Sequence, residues 1–363
     1  MGYSLATYNP KHATKIRMDI RDLQRENIKN LSPYSTARDE FKGQASVYLD
    51  ANENSFGSPL PADYNRYPDP LQLDLKDAIS KIKGVPIENT FLGNGSDEAI
   101  DLLFRAFCNP GKDNVIILPP TYGMYEVSAN INDVEVRKVN LTPDFQLDLE
   151  KIAETIDTNT KIIFICSPNN PTGNSLNRSD IETILANFKG LVVIDEAYIN
   201  FAKQKTFIQE LTEYANLVVL QTFSKAWGLA ALRLGMAFSS THVIDILNKV
   251  KPPYNINQAT QDLALAALQN IQQVNEWIKL TVNERERLAN ALSRLESVKK
   301  VYPSDANFIL VQIDNAHWTY HQLVDQGIIV RDRSKVVLCD NCLRITIGTI
   351  EENNQLLTAL EKL

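Results

Sequence analysis

The chain has 363 residues, a formal net charge of -7 and a hydrophobic fraction of 44%. That acidic balance excludes the basic footprint that nucleic acid or an anionic membrane requires, and the modest 14 Gly and 16 Pro exclude a fibrous or disordered class. The length suits two domains sharing an interface rather than a single core.

Residues 1–45 read as a polar, irregular N-terminal arm with a helical patch at 16–31, of the kind that packs on a smaller domain and reaches across a dimer. Its opening, MGYSLATYNPKHATKIRMD, has no apolar core of secretory type. Ala6 stands where a myristoylation signal beginning at Gly2 needs Ser or Thr, and no run approaches a membrane span, so a cytoplasmic setting is expected. In LSPYSTARDE, Tyr34 follows a proline and by itself reads as a surface-packing aromatic. A short strand is expected at 47–49, leading into the turn-rich loop DANENSFG that carries Asn54. YNRYPDP at 64–70 is a further irregular segment, in which Tyr64 and Tyr67 are placed to cover apolar surface.

From about residue 72 helix and strand alternate. GNGSDE at 93–98 precedes an apolar helical face that includes Ile100, Leu103, Phe104 and Phe107. Gly95, Ser96 and Asp97 thus sit where a Gly-rich loop enters a helix, an arrangement that binds anions through free N–H groups and the helix dipole. The same residues serve equally as a turn and an N-cap. Strands predicted at 115–118, 134–139, 161–166, 191–194 and 217–220, with helices between them, give an α/β large domain over 46–250 with a mostly parallel sheet. Lys251-Pro252-Pro253 reads as a hinge. Beyond it, a helical stripe through Val274, Ile278, Val282, Leu288, Leu292 and Leu295, strands at 308–313, 328–330 and 343–347, and a last helix from about 351 give a smaller α+β domain over 251–363. The cysteines at 108, 166, 339 and 342 include one C-x-x-C pair, but no second ligand pair accompanies it; they read as core residues, and no metal site is expected.

The loops that follow the strands carry the unusual residues. PPTYGMY at 119–125 offers Tyr122, which either stacks on a planar ligand or caps a helix. SPNNPTG at 167–173 presents Asn170, where turn propensity and function explain the wording equally well. IDEAY at 194–198 ends an apolar strand with Asp195 and then Tyr198; a carboxylate there needs a partner, whether a salt bridge, a helix cap or a ligand. TFSKAWGLAALRLG at 222–235 places Ser224 and Lys225 after the apolar run 217–220, with Arg233 further on. Most lysines are solvated surface charges. An amine crowded by Phe223, Ala226 and Trp227 and by a second cation loses proton affinity and becomes a nucleophile for carbonyls, so the candidate chemistry is a Schiff base. Arg331 and Arg344 each lie on or at the end of an apolar strand, where a guanidinium must find an anion or lose solvation.

Taken together these residues match the needs of pyridoxal phosphate: an amine for the aldehyde (Lys225), a carboxylate for the pyridine nitrogen (Asp195), donors at the phenolate (Asn170, Tyr198), a ring to stack on (Tyr122) and groups for the phosphate (Ser96, Ser224, Arg233). The wording and order of GNGSDEAI, PPTYGMY, SPNNPTG, VVIDEAY, TFSKAWGLAALRLG and CLRITIGT resemble the histidinol-phosphate aminotransferases over nearly the whole chain. The resemblance implies a three-layer PLP-transferase large domain with a mostly parallel seven-stranded sheet, a smaller α+β domain, and a homodimer in which Tyr67 reaches the partner's cofactor phosphate. It also implies L-histidinol phosphate and 2-oxoglutarate as substrates, with glutamate as a product, Lys225, Asp195 and Tyr198 as catalytic groups, and Gly95 and Asp97 among the cofactor-binding residues. Tyr34, Asn54, Tyr122, Asn170, Arg331 and Arg344 match the family's substrate-binding positions. One departure is Ser55-Phe56, where the family usually reads Pro-Tyr before the glycine. An aromatic amino-acid aminotransferase or a threonine-phosphate decarboxylase would share the cofactor residues. A PLP-sensing regulator of DNA fits poorly with an acidic chain and a short arm.

Overall fold

The computed structural model describes residues 20–35, 45–60 and 62–363. Seven strands form the larger sheet: β1 (Thr90–Asn94), β2 (Asn114–Ile117), β3 (Glu135–Lys138), β4 (Thr160–Cys166), β5 (Leu191–Asp195), β6 (Leu217–Thr222) and β7 (Leu234–Ser239). Their order is β1-β7-β6-β5-β4-β2-β3, with the run from β6 to β3 parallel and β7 antiparallel to both β1 and β6.

The central strands are apolar on both faces because both faces are covered. Along β4, Ile162 and Phe164 point into one core while Ile163 and Ile165 point into the other. Between the strands run α1 (Leu73–Lys83), α2 (Gly95–Phe107), α3 (Met124–Ile131), α4 (Leu149–Thr155) and α5 (Arg178–Asn187), followed by α6 (Thr241–Val250) and α7 (Gln258–Leu268). The first core takes side chains from α2, α3 and α6, the second from α1, α4, α5 and α7, which makes three layers.

A second, antiparallel sheet of order β10-β11-β9-β8 is formed by β8 (Val298–Val301), β9 (Phe308–Ile313), β10 (Arg331–Asp332) and β11 (Cys342–Thr346). It packs with α8 (Ile271–Leu292), α9 (Ala316–Asp325) and α10 (Ile350–Leu360) around Leu288, Leu292, Val311 and Leu356. Thr349 and Glu352 close a reciprocal capping box at the start of α10. All four cysteines are buried free thiols, as their core reading required.

The structure corrects several elements. Among the described residues no strand is formed at 47–49, where Val47 and Leu49 are 68% and 83% exposed. The strand expected at 328–330 instead occupies Arg331–Asp332, where Arg331 finds Arg344 as its register partner on β11. β1, β7 and β8 are additional to the predicted set. Of the patch at 16–31, the described part holds two short turns, Ile20–Leu23 and Glu26–Lys29. At the expected hinge, Lys251 is buried, its Nζ donating to the carbonyls of Pro70 and Pro253, both at 2.8 Å.

Candidate active site

The carboxyl ends of the parallel strands open onto one cavity of about 590 Å³, the place where open α/β sheets bind ligands. Of the residues singled out in the sequence, Gly95, Ser96, Asp97, Tyr122, Asn170, Asp195, Tyr198, Ser224, Lys225, Arg233, Arg331 and Arg344 all line it. The first ten come from the large sheet and its loops, and the last two from β10 and β11, so both sheets build the wall.

Asp195 ends a strand whose five residues are all buried and is itself 3% exposed. Tyr125 Oη donates to its Oδ2 at 2.7 Å and Ala197 N donates to its Oδ1 at 3.1 Å. Burial pushes this carboxyl up to about 6, against the lowering effect of those two hydrogen bonds. Both donors are neutral, and the carboxylate borders the cavity, where the positive charge of Lys225 also acts on it.

Lys225 is open to the cavity but crowded by protein on its other sides. Its ammonium stands 5.6 Å from the Tyr198 ring centroid. Burial chiefly, then the positive charge of Arg344, holds its pKa below the ordinary lysine value; Arg233 adds to the lowering, while Asp195 and Asp97 oppose it. Asn170 Nδ2 donates to Tyr198 Oη at 3.5 Å and Asn170 Oδ1 accepts from Arg344 Nη1 at 2.5 Å, which joins the loop after β4 to both walls. Burial also raises the Tyr198 phenol above its ordinary range.

At the opposite end, α2 starts with no side-chain cap, so no side chain occupies its first N–H groups. Gly95 is left-handed (φ 71°), and its N donates to Arg233 O at 2.7 Å. A Cβ on Gly235 would lie 2.2 Å from Ser96 N, so β7 approaches the start of this helix more closely than any side chain permits. Arg233, itself left-handed at φ 52°, directs its guanidinium to the same corner, 3.9 Å from Asp97 Oδ2. Asp97 Oδ1 accepts from Tyr122 Oη at 3.1 Å, which fixes the Tyr122 ring.

Tyr34, Asn54 and Tyr67 lie outside this cavity. Tyr34 is 76% exposed beside Pro70 and Lys249. Asn54 Oδ1 accepts from Phe56 N at 3.0 Å within its own loop. Tyr67 is half exposed and stacks on Tyr254 with ring centroids 4.5 Å apart. Two residues at the site went unnoticed in the sequence. Tyr125 lies one helical turn beyond Tyr122 and was hidden by its apolar surroundings, while Arg333 sits two places past Arg331, a spacing that in a strand signals the same face.

A three-layer architecture with a lysine, a buried carboxylate and an open helix N-terminus around one cavity is the arrangement the class I and II aminotransferases share with related lyases, and the family match separates the two. The model of that family, described as aminotransferase class I and II, matches residues 50–360. The histidinol-phosphate aminotransferase of Cytophaga hutchinsonii is 56% identical over 342 residues, 94% of this chain and 98% of the relative. That of Bacteroides thetaiotaomicron is 55% identical over 344 residues, with 94% and 98% covered. Among solved structures, the histidinol-phosphate aminotransferase of Clostridium acetobutylicum is similar with a TM-score of 0.76 at 25% identity, covering 82% of this chain and 90% of that one. The chain belongs to the histidinol-phosphate aminotransferases within the class I and II aminotransferase family.

Proposed function

We propose that the protein is a pyridoxal 5'-phosphate-dependent transaminase that moves the amino group of L-histidinol phosphate to 2-oxoglutarate, giving imidazole acetol phosphate and L-glutamate in the histidine biosynthesis of the cytoplasm. The observation that carries the reading is the cavity itself, which sets a lysine of lowered pKa and a buried carboxylate between an uncapped helix and a wall of arginines. The names of relatives more than half identical over nearly the whole chain support the choice of substrate.

The residues present fit the cofactor. Asp195 accepts hydrogen bonds only from neutral donors, and a cationic ring nitrogen would supply it with a charged one. The uncapped start of α2 from Ser96 onward, with Ser224 and Arg233, would hold a phosphate. Tyr122 would cover the ring face, and Asn170 and Tyr198 would donate to the phenolate oxygen. When bound, pyridoxal phosphate supplies an electron sink for the carbanion left at the substrate α-carbon. Lys225, with its depressed pKa, is the base that takes the α-proton and the acid that returns it. Tyr198 and Asn170 hold their hydrogen-bonding atoms fixed meanwhile, and Arg331 and Arg344 grip the anionic tail of either substrate.

The active form is a homodimer, with Tyr67 reaching the partner's site and Tyr34 and Asn54 completing the substrate pocket. Large apolar side chains left uncovered between 45 and 67 support this: Leu49, Phe56 and Leu60 are 83%, 103% and 59% exposed. The functional reading is tested by comparing amino donors at fixed 2-oxoglutarate. Histidinol phosphate leads if it holds; a lead for phenylalanine, or carbon dioxide release without need of an acceptor, overturns it.

A further inference from the structure

Beside Arg331 and Arg344 the second sheet presents a third guanidinium to the cavity, that of Arg333. Arg331 and Arg344 are direct register partners across the antiparallel pair β10–β11, and Arg333 N continues the pairing by donating to Cys342 O at 2.8 Å. Side chains two apart in an extended chain share a face, so Arg333 falls on the same side as Arg331, and all three arginines line the cavity. Asp332, the acid between them, belongs to the opposite face, where it is held by His317 Nδ1 at 3.1 Å and accepts from Ser334 N at 2.8 Å. It is therefore spent elsewhere.

Among the described residues the Nε atoms of both Arg333 and Arg344 are buried without a hydrogen-bond partner. Burial first, then the positive charges of Arg344 and Arg331, lowers the pKa of Arg333. Three neighbouring guanidiniums repel one another, and an anion seated among them relieves that repulsion more fully the more charge it carries. A carboxylate offers a single negative charge, whereas a phosphate monoester carries about -1.5 to -2 near pH 7 and three acceptor oxygens.

We propose that Arg333 is a specificity-determining residue that recognises the phosphate monoester of the amino donor, adding to Arg331 and Arg344 the charge that separates a phosphorylated donor from its unphosphorylated analogue. This rests on the functional reading above and deepens it. Arg331 and Arg344 as a pair serve phosphate and carboxylate alike; Arg333 supplies the discrimination.

The experiment compares kcat/KM for histidinol phosphate and for histidinol, the same amine without its phosphate, in the wild-type holoenzyme and in Arg333→Gln and Arg333→Lys. Loss of one charged hydrogen-bonding group lowers the preference for histidinol phosphate over histidinol about tenfold to a hundredfold in Arg333→Gln, mainly through KM, and Arg333→Lys recovers a part of it. A preference ratio unchanged in both variants, or an equal loss for both donors, overturns the assignment while leaving the transaminase reading intact. If the wild type itself takes no amino group from histidinol phosphate, the functional reading falls and the Arg333 assignment falls with it.

Discussion

Asp195 is held between two neutral donors, and that local balance makes its partner Tyr125 consequential. The phenol donates to Oδ2, stacks on Phe164 at 4.8 Å and meets the Tyr122 ring edge-on at 5.6 Å, so it ties the carboxylate to the residue that would cover the cofactor ring. Only the ionised carboxyl pairs with a cationic ring nitrogen. Apoenzyme should therefore bind pyridoxal phosphate less tightly as pH falls through about 6, the value to which burial raises Asp195. In Tyr125→Phe the hydrogen bond that lowers this pKa is lost, and the midpoint of that fall should move up by about 0.5 to 1 pH unit, equivalent to one hydrogen bond of about 1 kcal/mol. Cofactor titration by visible absorbance from pH 5 to 8 reads this out; an unmoved midpoint would mean that Tyr125 only fills space. Lys225, Asp195 and Asn170 were legible in sequence because each stands at a break between an apolar run and a polar loop. Tyr125 was not, because nothing in the spacing of PPTYGMY says which of its tyrosines turns inward.

Behind the site, separate elements meet through one buried acid. Glu196, directly after β5, is 1% exposed and accepts hydrogen bonds from Thr206 Oγ1, from Phe207 N at 2.6 Å and from Gln221 Nε2 on β6 at 2.9 Å. Lys83, the last residue of α1, donates to Gln221 Oε1 at 2.7 Å. Burial outweighs these hydrogen bonds and raises Glu196 from 4.5 to about 7. Between those values the folded protein keeps a proton that the unfolded chain has released, so this group's contribution is full below about pH 4.5 and is lost as pH rises to about 7. The thermal midpoint of wild type should fall relative to Glu196→Gln across that window and run parallel to it above. A constant difference would exclude the titration. The strands that carry the site were legible from continuous apolar runs, as in 191–194 and 217–220. β1 (TFLGN) and β7 (LGMAFS) were not, since each is short and carries a glycine that weakens its strand signal. Gly235 is there for close approach to α2, a tertiary demand that local propensity does not encode. The opposite error at 47–49 has the same root: Val-Tyr-Leu has strand character, but strand formation depends on pairing that local propensity does not supply, and the described residues form no strand there.

For the whole molecule, the two sheets matter because the cavity takes its lysine, carboxylate and Arg233 from one and Arg331, Arg333 and Arg344 from the other. The exposed apolar side chains between 45 and 67 fit burial against a second copy, so the mass in solution should be about twice 40.9 kDa; a monomer at working concentration would contradict the dimeric site. The resemblance extended over nearly the whole chain and carried the class and the substrate together. The side-chain triad at the mouth emerged only once register had placed Arg331 opposite Arg344. The most direct test of the account is steady-state transamination with 2-oxoglutarate as acceptor, comparing histidinol phosphate with phenylalanine in wild type and in Lys225→Ala. The account predicts a kcat/KM for histidinol phosphate at least about tenfold above that for phenylalanine, and no turnover or lysine-bound cofactor absorbance in the variant. A preference for phenylalanine, or turnover that survives the loss of Lys225, would contradict it.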